Sequence, residues 1–427
     1  MKTVLQRQVP RGLAAGAIIV AVAMAVFFAR WRSNAARAAT DRVHQMHDEW
    51  IVLADRVHGL KSEGRLAEAL QTAQRSLVVA ERAYGPTHPT VAESLNELAQ
   101  LKTELAMFDG VDEMFARAIA IQSGVTGPQS PEVAASVNNL AIACEKRGRY
   151  AEAEALYRRA LTMYEESVGE QHDLTARGYN NLACLEDARY APAAAEPLHR
   201  RALGIRRKVH GPAHLDTAES LGNLASTCRA LGRLVESERL CREALAIRER
   251  TAGPTHPLTA ASLAGLARTL VDQGRPEEAI APALGAVAIR QKVSGGRHAA
   301  TAFAMETLAA VRAAGGDIDA ARELLDAALA IRTRANGPVH PKTADCLELI
   351  ALLPPPSGEL ADGSSSHRTE AARLLERVVE IRTTTLGADH PETVAAMRRL
   401  ADARPETEEA ARADEARRQP DGPAGKD

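Results

Sequence analysis

Histidine is the first residue type whose spacing suggests chemistry. His88, His172, His214, His256, His298 and His340 sit on a 42-residue grid with Ser130, and His390 follows after 50 residues. Seven equivalent imidazoles could hold metal ions. However, equivalent residues on neighbouring packed elements lie roughly 8–10 Å apart, whereas two ligands of one zinc each lie about 2 Å from it. The series therefore reads as helix caps and turn fillers. His44 and His47 in HQMHDE, with Asp48 and Glu49, form a tighter group, but no third and fourth ligand stands at a recognised spacing. No metal site is expected.

Nucleophilic chemistry fares no better. The five cysteines at 144, 184, 228, 241 and 346 contain no CxxC pair, and no basic partner recurs beside them. Cys144, Cys228 and Cys241 fall at packing positions, where a free cysteine acts as a small apolar residue. P-loop, GxGxxG, HExxH and nucleophile-elbow motifs are missing from the sequence. No catalytic residue, cofactor or small-molecule substrate is expected. Arg206, Arg248, Arg290, Arg332 and Arg382 each follow an isoleucine and form a possible cationic ladder. Ion pairs with the many neighbouring acids are the simpler account.

Asparagine gives the sharper lead. Asn96, Asn138, Asn139, Asn180, Asn181 and Asn223 stand just before a recurring leucine in the middle of helical patterns. Asparagine is a poor helix-interior residue, so its repetition there implies a gain elsewhere. Each side chain offers two donors and an acceptor, which suits either the backbone of an extended peptide or a neighbouring repeat. The series stops after Asn223, where Gly222, Ala264 and Gly265 leave small residues.

The elements that position these residues are helices in a repeat. Gly85, Gly127, Gly169, Gly211, Gly253, Gly295 and Gly337 share the 42-residue period, and Gly387 follows an eight-residue insertion. The chain is 45% hydrophobic but 3% aromatic, so its apolar mass is Ala, Leu, Val and Ile, as close-packed helices require. Residues 132–167 show two apolar stripes at i, i+3, i+4, i+7 spacing, broken at Gly148. Gly64, Gly148, Gly232, Gly274 and Gly316 suit left-handed helix ends. Proline after the cap suits a first helical position. Pro197 and Pro282 fall inside second helices, where kinks are expected.

Leu140, Ala141, Gly148, Tyr150, Ala153, Tyr157 and Ala160 carry the spacing of the tetratricopeptide-repeat (TPR) signature. With GPTHP-type junctions, the units resemble the 42-residue repeats of kinesin light chains over about residues 41–403. The resemblance implies an all-α, right-handed α-solenoid of about eight helix pairs, with a capping helix near Pro391–Ala403. It also implies a concave groove, lined by first helices, that holds peptides or partner proteins. By that geometry the asparagines face or border the groove in repeats two to five. The first unit departs from the signature at Arg56 and reads as a capping repeat or a stalk.

The solenoid is flanked by different sequence. Gly12–Ala29 carries no charge, and 18 helical residues span about 27 Å, close to the roughly 30 Å bilayer core. Cations lie on both sides, with Trp31 at the boundary. The run reads as an uncleaved anchor after a basic tail (1–11) and before a linker (30–40). A signal peptide cleaved after Ala38 is the rival. The expected location is single-pass in a bacterial inner membrane, with the solenoid on the non-cytoplasmic side. Residues 353–367 read as a flexible inserted loop and 404–427 as a flexible charged tail. A net charge of −2 gives no reason to expect nucleic acid. The expected function is a membrane-anchored interaction scaffold or adaptor; the alternative is an assembly subunit packed against a larger membrane complex.

Overall fold

A computed structural model describes residues 30, 32, 41, 43–189, 191–294, 296, 298–355 and 364–404. These form an all-α solenoid. The first pair is α1 (43–62) and α2 (Leu66–Tyr84). There follow α3 (Pro89–Glu104) with α4 (Val111–Thr126), α5 (Pro131–Lys146) with α6 (Tyr150–Val168), and α7 (Asp173–Ala188) with α8 (Pro192–Val209). Next come α9 (Leu215–Ala230) with α10 (Leu234–Thr251), α11 (Pro257–Asp272) with α12 (Pro276–Ser294), and α13 (Ala299–Ala314) with α14 (Ile318–Asn336). α15 (Pro341–Ala351) pairs with α16 (Ser364–Leu386), and α17 (Pro391–Ala403) covers the end. The uncharged run Gly12–Ala29 and the tail beyond 404 lie outside the described residues. Among the described residues no helix is long and apolar enough to cross a membrane.

Local chemistry sets the period. The junction glycines Gly85, Gly127, Gly169 and Gly337 adopt φ between +83° and +97° with ψ between 154° and 168°. That backbone region is essentially closed to side-chain-bearing residues. Three residues on, the next helix is capped. His88, His172, His214, His256, His298, His340 and His390 each accept a backbone N–H two residues ahead through Nδ1, at 3.0–3.3 Å. Ser130 accepts the Val133 N–H at 3.3 Å in the same role. The capping side chain thus meets one of the orphan donors of each helix start.

Alanine sets the packing distance. Ala99, Ala141, Ala183, Ala225, Ala267 and Ala309 on first helices are buried, as are Ala118, Ala160, Ala202, Ala244, Ala286 and Ala328 on second helices. Both sets repeat every 42 residues, so each pair approaches its neighbours through the same small contacts. Leucines such as Leu182, Leu224 and Leu266 fill the space between. The first unit packs as a full repeat: Arg56 is exposed, while Val57 and Leu60 join Ala69, Ala73, Leu98 and Leu101 in one cluster. Helices α8 and α12 run through Pro197 and Pro282 without interruption. The insertion shortens α15 to 11 residues, where the other first helices from α3 to α13 have 16. Helix α16 begins at Ser364, three residues before the expected end of the inserted loop.

First helices also touch one another (α3 with α5, α7 with α9, α9 with α11, α11 with α13), whereas second helices meet the first helices that flank them. First helices are therefore the inner layer of the coil. The coil also meets itself. A Cβ placed at Gly64 or Gly148 would collide with the His298 or His390 ring. His340 Nε2 lies 3.1 Å from the Glu104 carbonyl, and His390 Nε2 lies 3.0 Å from the Tyr150 hydroxyl. The turns within the first three repeats thus abut the junctions that precede α13, α15 and α17. One superhelical turn takes six repeats.

Candidate functional site

The inner layer carries the asparagine series, and the structure divides it. The Asn96 amide donates to Ser136 Oγ at 2.8 Å, Asn181 donates to Asn138 Oδ1 at 2.8 Å, and Asn223 donates to Asn180 Oδ1 at 2.7 Å. These bonds tie α3 to α5, α5 to α7 and α7 to α9. Asn138 and Asn180, only 5% and 7% exposed, are the buried acceptors, and Asn180 also reaches Cys184 Sγ at 3.8 Å. Asn139 differs: it is half-buried on the inner layer and its amide bonds no other described residue. Half-buried Asn181 and Asn223 keep their carbonyl oxygens clear of these bonds. Asn96 Oδ1 is buried without a partner.

Charged groups around this wall are mostly paired. Arg206 contacts Asp173 at 3.3 Å and Glu219 at 2.9 Å. Arg332 holds Glu306 through two 2.9 Å bonds. Arg382 holds Asp345 at 2.8 Å and Glu348 at 3.0 Å. Burial opposes the Arg382 charge, but Glu348 and Asp345 outweigh it and hold its pKa above the ordinary value. Among the described residues Arg248 bonds the Leu258 carbonyl and Ser262 Oγ, and burial lowers its pKa. Arg290 bonds no described residue, and burial lowers its pKa also. The arginine ladder is thus mainly an ion-pair framework with a gap at the fifth and sixth repeats. Glu145, raised by burial, accepts from the Tyr157 hydroxyl at 2.7 Å.

The cysteines sit on packed helix faces. Cys144, Cys228, Cys241 and Cys346 are buried and Cys184 half-buried, all free. Burial pushes the Cys144 thiol up to about 11 and Cys184 up to about 12, far from thiolate character at neutral pH. His47 is engaged by the Tyr84 hydroxyl and stacks near Trp50, so the HQMHDE group is joined to the first repeat.

One metal-like group escaped the sequence reasoning. His210, His214 and Asp216 bring ligand atoms within 4.8 Å of one another, and His210 Nε2 lies 3.1 Å from Asp173. Junction packing explains it. His214 Nδ1 already accepts the Asp216 N–H, and Asp173 already pairs with Arg206. The His210 ring stacks on His214 at 4.4 Å, as Tyr84 stacks on His88 at 4.4 Å three repeats earlier. The residue before the junction glycine is the signal that locates this stack.

Comparison with known proteins accords with this architecture. The tetratricopeptide-repeat profile matches residues 58–123, 112–166, 132–207, 191–235, 216–292 and 301–353, and a second tetratricopeptide-repeat profile matches 365–392. The chain belongs to the tetratricopeptide-repeat family. Among solved structures it is similar to TPR-like repeats assigned to a kinesin light chain of Podosopora anserina (25% identity, TM-score 0.40, covering 48% of this chain and 97% of that one). It is also similar to a Rap protein complexed with competence and sporulation factor (14%, TM-score 0.52, 84% and 100%). A third is the Rap conjugation gene regulator of the plasmid pLS20 in complex with the Phr* peptide (14%, TM-score 0.51, 82% and 98%). No curated protein sequence matches the chain.

Proposed function

We propose that the chain is a membrane-anchored scaffold or adaptor that holds an extended segment of a partner protein along the inner face of its solenoid, by binding and without catalysis. The observation that carries this is Asn139, an amide with no partner among the described residues, on a wall whose neighbouring asparagines keep acceptors clear of their inter-repeat bonds. Such groups suit a peptide backbone with little sequence preference. The Rap structures named above, which share the fold, were solved with a factor or peptide bound, and that precedent supports the reading. The anchor rests on Gly12–Ala29, with the solenoid on the non-cytoplasmic side of a bacterial inner membrane.

The test is capture of partners from detergent-extracted membranes by the wild type and by Asn139→Ala. Capture should fall several-fold while thermal unfolding stays unchanged. Equal capture by both rules out Asn139 as a contact. Asn181→Ala is the contrasting variant. It leaves buried Asn138 Oδ1 short of a donor and should cost about 1–3 kcal/mol of stability, so its capture defect alone would be uninformative. N-terminal sequencing checks the anchor: a chain beginning near Ala39 would remove it.

A further inference from the structure

His298, His340 and His390 are caps like the other four histidines, but their rings do a second thing. The cap uses Nδ1 as acceptor, so the neutral ring carries its proton on Nε2. In His340 that Nε2–H donates to the Glu104 carbonyl at 3.1 Å, at the end of a helix six repeats back. In His390 it meets the Tyr150 hydroxyl at 3.0 Å, with ring centroids 5.5 Å apart. In His298 the ring lies on Gly64 and bonds the Ser62 backbone, the position equivalent to Glu104. The same device recurs three times along one seam.

We propose that these three histidines form a proton-sensitive latch that closes adjacent turns of the solenoid and thereby controls entry to its inner face. A second proton must go to Nδ1. It would displace the capping N–H and place a cation in a buried seam. The neighbours make that worse. His298 faces Arg290, and the cavity beside it, about 940 Å³, also holds Arg65, Arg334, Glu63 and Glu68. His340 faces Lys342 and Arg332, opposed by Asp345, and the Glu104 carboxyl beside it is raised by burial. His390 faces Arg382. Burial first, then these cations, hold all three rings below the ordinary histidine range. Opening the seam solvates the rings and removes the penalty. The closed state is therefore favoured above the ordinary value of about 6.5 and is lost as pH falls through the depressed values.

That the latch gates a partner rests on the function proposed above; the latch itself does not. The experiment reads distance in the full chain in detergent. Spin labels at Ala67→Cys and Val293→Cys, exposed on the two sides of the seam, are measured in a Cys184→Ser background at pH 7.5 and 5.0. A single short distance should give way on acidification to a population longer by about 10 Å, roughly a helix diameter. The variant His298→Asn/His340→Asn/His390→Asn keeps capping groups, because asparagine caps well, but it cannot span the seam. It should show the long distance at both pH values with helicity intact. His172→Asn/His214→Asn makes the same exchange away from the seam and should respond to pH like the wild type. An unchanged wild-type distance, a seam variant that still responds, or a control that loses the response each overturns the latch. Absent partner capture at both pH values would count against the binding function while leaving the distance result standing.

Discussion

Arg382→Ala tests how the last repeat is held. Arg382 is 3% exposed, and its guanidinium joins three helices: Asp345 at 2.8 Å and Glu348 at 3.0 Å on α15, and the Glu392 carbonyl at 3.2 Å on α17. Removing one partner of a buried ion pair costs about 3–5 kcal/mol. Here Lys342 still reaches Asp345 at 3.0 Å and Arg399 still reaches Glu348 at 2.5 Å, so a cost of about 2–3 kcal/mol is expected. A solenoid's stability is a sum over repeats and their interfaces, so the loss should stay local. Hydrogen exchange read by mass spectrometry should accelerate about 30- to 140-fold in α16 and α17, at 1.4 kcal/mol per tenfold. Exchange in α9 should be unchanged. Acidification supplies a second check. Burial alone would raise the Asp345 carboxyl, but Lys342 and Arg382 outweigh it and hold it below its ordinary value. Its contribution is present above the ordinary carboxylate range and is lost as pH falls through the depressed value. The gap between variant and wild type should therefore narrow below about pH 4. An acceleration under about fivefold, or an equal one in α9, would refute the assignment.

Two further outcomes follow from the backbone and the core. Gly85→Ala should lower stability by about 1–3 kcal/mol, although nothing lies within 4 Å of the added carbon, because only the backbone at φ +83° objects. Gly222→Ala, equally unobstructed but in the middle of α9, should raise it by about 1 kcal/mol; thermal unfolding of the pair separates the two, and shifts of the same sign would contradict it. The thiols should react slowly with a disulfide reagent at pH 8, because burial holds Cys144 near about 11, and should react freely in denaturant. Rapid labelling of all five in the folded chain would show the helix faces to be open.

What could be read from residues alone was whatever is decided within one repeat. The junction glycine needs a backbone geometry that other residues refuse, and the capping histidine acts on an amide two positions ahead, so both show in the sequence. What is decided between repeats does not show. Whether Asn181 points at a ligand or at Asn138 depends on the register of α5 against α7. His298 and His172 look alike in sequence; only the accumulated rotation of six repeats brings one of them to Gly64 and leaves the other exposed. His210 was overlooked because its neighbours come from two helix pairs: Asp173 opens α7 and His214 caps α9. The early end of α15 precedes Pro354.

The six-repeat turn also decides where this chain can lengthen. Turns within the first three repeats lie beneath a neighbouring coil, so extra residues there would push against His298, His340 or His390. Junctions are closed to additions by their glycine geometry and their caps. Among the described residues nothing lies within 4 Å of a Cβ placed at Gly232, Gly274 or Gly316, in the turns of the fifth to seventh repeats. The chain's eight extra residues lie between α15 and α16, in the eighth. New binding loops, tags or domains grafted onto this solenoid belong in those open turns, between the two helices of a repeat, where the sequence's own insertion also falls.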